Sequence, residues 1–230
     1  MRFTYLLVDF FCILFPLLFS FHPKIKFFTQ WRFLGLPLLV SASFFISWDV
    51  LFTYWDVWSF NTRYVCGIYI FNLPIEEILF FFCIPYACLF TYYCANTFLK
   101  TTPPQNIFFV PIFILVLLLV IIAFFNLTKI YTSVTFLLTA LLLFVFLLQK
   151  ANFLKPFMVS FLIILIPFFI SNGILTGSFL DGPVVIYNKV YNLGFRMFTI
   201  PVEDTFYGML LLLMNVSGYE MLKKRSLPKP

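Results

Sequence analysis

Charge is scarce in this chain: only 10% of its 230 residues are Asp, Glu, Lys or Arg, where a water-soluble domain carries about a quarter. Histidine is limited to His22. The five cysteines (Cys12, Cys66, Cys83, Cys88 and Cys94) contain no CxxC pair, so a Cys/His metal site is not expected. They read instead as small apolar residues of the interior. A Gly-x-Gly-x-x-Gly run is missing, and with it the usual fingerprint for a dinucleotide. No basic run interleaves with aromatics in a polar segment, so the net charge of +6 does not point to nucleic acid.

Apolar residues make up 63% of the chain, and the mean hydropathy is +1.03. Such a composition belongs to an integral membrane protein. Phenylalanine occurs 36 times and aromatics together reach 23%, well beyond what interfacial belts need. Many rings must therefore face the interior or an apolar ligand. A helix crosses a bilayer with about 20 apolar residues, and seven segments qualify. They are Phe3–Phe19, Phe33–Leu51, Leu73–Thr97, Ile107–Phe125, Thr132–Leu148, Pro156–Leu175 and Thr199–Met221. The expected fold is all-α and membrane-embedded. The first segment carries Asp9 and no small-x-small cleavage site follows it, so it reads as a retained helix. Two longer loops, Phe52–Asn72 and Thr176–Phe198, are richer in Asn, Tyr and Gly and read as re-entrant or interfacial pieces.

Positive charge is unequally shared between the two faces. Arg2, Arg63, Lys129, Lys189 and Arg196 lie on one, and the other ten basic residues, Lys100 and Lys229 among them, on the opposite face. The positive-inside rule then puts the N-terminus outside and the C-terminus in the cytoplasm.

Two short stretches repeat one pattern: Leu73-Pro74-Ile75-Glu76-Glu77 and Ile200-Pro201-Val202-Glu203-Asp204. Four of the nine acidic residues thus sit beside apolar segments, where a charge costs a few kcal/mol or more and is usually functional. An offset of 127 aligns more than the acids. Asn61, Tyr64 and Gly67 fall on Asn188, Tyr191 and Gly194, and Phe80 falls on Tyr207. The chain therefore reads as two parallel three-helix repeats, residues 1–100 and 131–230, joined by a linker helix within 101–130. Trp48-Asp49 has no counterpart at that offset, since Leu175-Thr176 align with it.

Proline is well tolerated at a helix start, and carboxylates are favoured in the turn that follows. Pro74 and Pro201 thus mark a helix start or a kink. Neighbouring helical residues point about 100° apart, so one acid of each pair can face a cavity while the other contacts a neighbour. Capping at the membrane surface is the plainer alternative. Four carboxyls close together and poorly solvated cannot all ionise. One that keeps its proton can donate it to a weak base. The matching substrate is long, apolar and dissolved in the membrane. Protonating its alkene gives a cation that aromatic faces stabilise.

Pro-x-Glu-Glu followed by Phe-Phe-x-x-x-Pro-Tyr (Pro74 to Tyr86), Pro-x-Glu-Asp-x-x-Tyr (Pro201 to Tyr207), Trp48-Asp49 and Ser20-Phe21-His22-Pro23 resemble the lycopene cyclase domain family. The likeness extends over nearly the whole chain and joins in one chain the counterparts of both subunits of the heterodimeric bacterial cyclases. It implies a carotenoid cyclase, an isomerase or intramolecular lyase, acting on lycopene or a related linear carotenoid among membrane lipids. Under that resemblance Glu76 or Glu203 delivers a proton, and Glu77 or Asp204 removes one. Trp48, Asp49, Asn61, Tyr64, Phe80, Asn188, Tyr191 and Tyr207 are the supporting candidates. The four Asn and Tyr of the repeated pattern either hydrogen-bond the acids or shape their loops. Cyclisation involves no net redox change, so no cofactor and no metal are expected. Oligomeric state stays open. Two other readings also stay open: a proton-coupled transporter, and another carotenoid-modifying enzyme such as a hydratase.

Overall fold

The computed structural model describes residues 1–99 and 106–226. Lys100 and Lys229, which entered the charge count, and part of the linker segment lie outside the described residues. Seven α-helices are present among them: α1 (Thr4–Phe19), α2 (Gly35–Tyr54), α3 (Ile75–Phe98), α4 (Asn106–Phe125), α5 (Ile130–Leu148), α6 (Leu154–Leu175) and α7 (Val202–Arg225). A short 3-10 helix, Phe27–Phe33, precedes α2.

Five helices, α2 to α6, are long and apolar enough to cross a membrane. α1 is shorter, at 16 residues. α7 is long but more polar, and it has the physical licence to be so. It packs against α2, α3, α5 and α6 and buries Met209, Leu210, Leu211, Leu212, Leu213, Asn215, Val216 and Tyr219. A helix shielded by its neighbours needs little lipid-facing surface. By contrast α4 packs on α5 and exposes Val110, Phe113, Ile114, Leu117 and Phe124.

The two long loops, expected to be re-entrant or interfacial, carry short strands. Six such strands cap one end of the bundle. β1 (Trp58–Phe60) pairs antiparallel with β4 (Val185–Tyr187), Ser59 opposite Ile186. β2 (Tyr69–Ile70) with β3 (Leu73–Pro74), and β5 (Arg196–Met197) with β6 (Ile200–Pro201), form two tight hairpins. Their loops place Phe71 at φ 56° and Phe198 at φ 59°. Gly67 and Gly194 take φ of 91° and 75°, a left-handed conformation that glycine adopts at little cost.

Both hairpins end in an extended proline, Pro74 at ψ 150° and Pro201 at ψ 139°, which serves as N-cap of the helix behind it. The prolines therefore mark helix starts, and α3 begins two residues later and α7 three residues later than a hydropathy reading suggests. The same hairpin and helix-start contacts recur at an offset of 127. Ile75 N–H donates to Ile68 C=O at 2.9 Å, and Val202 N–H to Phe195 C=O at 3.1 Å. Tyr5 N–H reaches Tyr64 C=O at 3.2 Å, as Tyr131 N–H, 126 positions on, reaches Tyr191 C=O at 3.0 Å. Asn61 N–H bonds Val184 C=O, and Asn188 N–H bonds Val57 C=O, across the β1–β4 pair.

Candidate active site

The acids occupy the first turns of α3 and α7, directly beneath the strand cap. Within each pair the two side chains part company. Glu76 Oε1 accepts the Cys66 N–H at 2.6 Å. Glu203 Oε1 accepts the Leu193 N–H at 2.6 Å, together with the Thr132 hydroxyl at 2.6 Å. In both cases the leading acid folds back onto the loop that leads into its own hairpin, ten residues upstream. Each is fully buried, and each leaves Oε2 without a partner among the described residues.

Glu77 and Asp204 point the other way. They line a cavity of about 760 Å³, joined there by Asp49 of α2. Glu77 and Asp49 come from adjacent helices, and their carboxyls lie against one another in the cavity wall. Two carboxylates in contact repel, so such a pair holds a proton between them. Tyr5 donates to Glu77 Oε2 at 2.6 Å and Tyr207 to Asp49 Oδ1 at 2.6 Å. Asp204 instead accepts three neutral donors: Tyr131 at 2.6 Å, Asn172 Nδ2 at 2.8 Å and Tyr187 at 2.8 Å. Burial pushes the Tyr187 hydroxyl well above its ordinary pKa, and the nearby Asp204 charge adds to this. Tyr187 therefore keeps the proton it donates.

Of the four carboxyls expected in one chamber, two enter it, and Asp49 completes the set. Phe80 and Tyr207 are also in the wall. Trp48 is not part of it. Its ring stacks on Phe45 at 5.7 Å and meets the edge of Tyr207 at 5.3 Å. The Asn and Tyr of the repeated pattern bond the loops and not the acids. Asn61 Nδ2 donates to Pro183 C=O, its Oδ1 accepts the Arg63 N–H, and Asn188 Oδ1 accepts the Val190 N–H. Tyr64 and Tyr191 act through their main-chain carbonyls on α1 and α5. Ser20 and Tyr86, from the other motifs that carry the resemblance, bond each other at 2.7 Å, and Trp31 Nε1 donates to the Tyr86 hydroxyl at 3.1 Å. The cysteines are unpaired and half-buried, less enclosed than expected.

Four residues of the site escaped the reading of the sequence: Tyr5, Tyr131, Asn172 and Tyr187. Tyr5 and Tyr131 are 126 apart, a spacing that a one-residue slip would have exposed. Asn172 was hidden by a register change. Val57 N–H bonds Phe52 C=O, and Val184 N–H bonds Leu175 C=O. Likewise Asn72 Nδ2 donates to Val50 C=O, and Thr199 Oγ1 to Gly173 C=O. The stretch between helix and strand is thus four residues longer after α6, and the offset between α2 and α6 is 123. Asp49 accordingly has a counterpart after all, Asn172, one helical turn before Thr176.

The cavity runs along α1 from Thr4 to Pro16, and along α3 from Glu77 to Thr91, roughly 20 Å at 1.5 Å per residue. Its polar groups gather at the strand end, and the remainder is walled by apolar side chains such as Val8, Ile84, Ile164 and Leu212. Between α1 and α6 it opens sideways. Phe11, Phe15 and Ile170 line it and are still 56%, 59% and 62% exposed.

No curated protein and no solved structure matches the chain. A family model does: that of lycopene cyclase matches residues 2–95 and again residues 128–222. Because the two matched stretches cover most of the chain and each contains one of the acid pairs, the protein belongs to the lycopene cyclase family, a fused form with both domains in one chain, whose general activity is carotenoid cyclisation.

Proposed function

We propose that the chain is a lycopene β-cyclase, an isomerase of carotenoid biosynthesis that closes β-ionone rings by proton transfer alone. One observation carries this reading: three carboxyls from two halves of the chain meet at the closed end of a long apolar cavity. A hydrocarbon end group entering that cavity meets a proton donor and little else that is polar.

The chemistry divides among the side chains as follows. The proton held by the Asp49–Glu77 pair passes to C2 of the terminal isoprene unit, leaving a tertiary cation at C1. The C5=C6 double bond attacks C1, forming the C1–C6 bond and moving the cation to C5. A carboxylate then takes the C6 proton, and the C5=C6 bond of the β-ring appears. Asp204, held by three donors, is the carboxylate best placed to face the cation and act as base. Phe80, Trp58 and the tyrosine rings line the same end and stabilise positive charge through their faces. Proton gain and loss balance, so product and substrate have equal mass. Glu76 and Glu203 act as anchors that fix each helix start to its hairpin.

The recurring contacts support two parallel three-helix repeats, residues 1–100 and 131–230, with α4 as the linker. With seven spans and the positive-inside rule, the strand cap, with Arg2, Arg63, Lys129, Lys189 and Arg196, lies on the outer face in this reading. The C-terminus is cytoplasmic, and the substrate is lycopene or a related linear carotenoid drawn from the bilayer.

The test is expression in a lycopene-accumulating bacterium, with pigments separated by chromatography and weighed by mass spectrometry. Ring closure keeps the mass of lycopene and changes its absorption. Addition of water, or unchanged pigment, would overturn the proposal.

A further inference from the structure

Transposed by the offsets of 126, 127 and 123, the walls of the open cavity map onto a second groove bounded by α2, α3, α5 and α7. Ser171 maps to Trp48, Gly208 to Phe81 and Phe168 to Phe45. The first of each pair lines the cavity. The second belongs to a closed aromatic cluster, with Phe45 on Trp48 at 5.7 Å and 7°, and Phe45 on Phe81 at 5.8 Å and 25°. Phe81 and Phe45 are fully buried. Further along, Cys88 and Ile164 line the open groove. Their counterparts Asn215 and Ser41 are joined by a 3.0 Å hydrogen bond, which closes the second groove.

The correspondence has a spatial check at Gly208. A Cβ there would meet the Phe168 ring at 3.6 Å, so a larger side chain at this position grows against Phe168 just as Phe81 packs on Phe45. A methyl group is within ordinary contact distance, whereas an aromatic ring would occupy the cavity.

We infer that the chain has one end-group site, kept open by Ser171 and Gly208, and that its symmetry mate is plugged by Trp48 and Phe81. This rests on the cyclase reading for its consequence. All carboxyls of the site lie at one end of a cavity of roughly 20 Å, and extended lycopene overruns that length. Both rings of a bicyclic product are therefore made at one carboxyl cluster. Between the two closures the carotenoid leaves through the opening beside Phe11 and Ile170 and re-enters with its other end.

Two measurements decide this. In purified protein saturated with lycopene, absorbance gives the carotenoid-to-chain ratio. One per chain is expected; two overturns the plugged groove. Gly208→Phe should lose the bound carotenoid and Gly208→Ala should keep it, with folding of each followed by size-exclusion profile. A folded Gly208→Phe variant that still binds overturns the assignment, and if it does not fold the wild-type ratio decides. In vesicles, labelled lycopene is then converted in the presence of excess unlabelled monocyclic carotenoid. Label should collect in the monocyclic pool, because the released intermediate is outcompeted for the second closure; label that reaches the bicyclic product as fully as without competitor overturns release. A chain that binds one lycopene but closes no ring refutes the proposed function and leaves the single site standing. No bound carotenoid at all refutes both.

Discussion

The two acid-bearing units share a backbone plan and differ in what faces the inward carboxyl. In the first, Glu77 meets a second acid, Asp49, in the wall of the cavity. In the second, Asp204 meets the amide of Asn172 and two tyrosine hydroxyls, all donors. Duplication thus supplied two similar scaffolds, and the side chain contributed by the preceding helix set them apart. An acid facing an acid suits proton delivery, and an acid ringed by donors suits proton removal. Environments that separate two carboxyls in this way are how one site runs both halves of an acid–base reaction.

The comparison can be broken most directly at Glu77. Glu77→Gln should lower turnover by about 10²–10⁴-fold, the range for removing a general acid, with the protein still folded; pigment conversion in cells shows this. If Glu77→Gln turned over normally while Glu76→Gln did not, the roles within the pair would be reversed. A smaller effect, about 10²-fold in turnover, is expected for Asp204→Asn, which keeps the shape and removes the charge facing the cation. Rates measured in vesicles at saturating lycopene resolve the difference.

The anchoring acids should sort by stability rather than by chemistry. Glu203 accepts two hydrogen bonds and Glu76 one, and each hydrogen bond contributes about 0.5–1.5 kcal/mol net. Glu203→Gln should therefore lower the thermal midpoint in detergent more than Glu76→Gln. Smallest of all is the contact that links the two strand-cap loops, the exposed Arg63–Asp181 pair at 2.8 Å. Arg63→Ala should cost about 1 kcal/mol or less, a shift near the limit of a thermal melt.

Much of this was legible in the residues. The helices fall where apolar length put them, because a membrane span must be long and uninterrupted. The acid pairs were found because carboxylates are rare in such surroundings. The strand cap was missed, since strands of two or three residues carry too little periodicity to announce themselves. A linear motif offers Glu76 or Glu203 as donor as readily as its neighbour, because it does not say which of two adjacent acids turns inward. Only the loop before each hairpin, folded back ten residues to offer the Cys66 and Leu193 amides, settles that.

By itself the sequence determined the solvent, the number of helical segments, the duplication and the presence of acids where charge is costly. These follow from composition and local pattern, which need no knowledge of neighbours. The tertiary structure decided which carboxyls share the cavity, that Asn172 stands in for Asp49, and that one groove is open while its twin is filled with rings. Those outcomes depend on contacts between residues far apart in the chain, and a shift of one helical turn in α6 was enough to hide them from any single alignment.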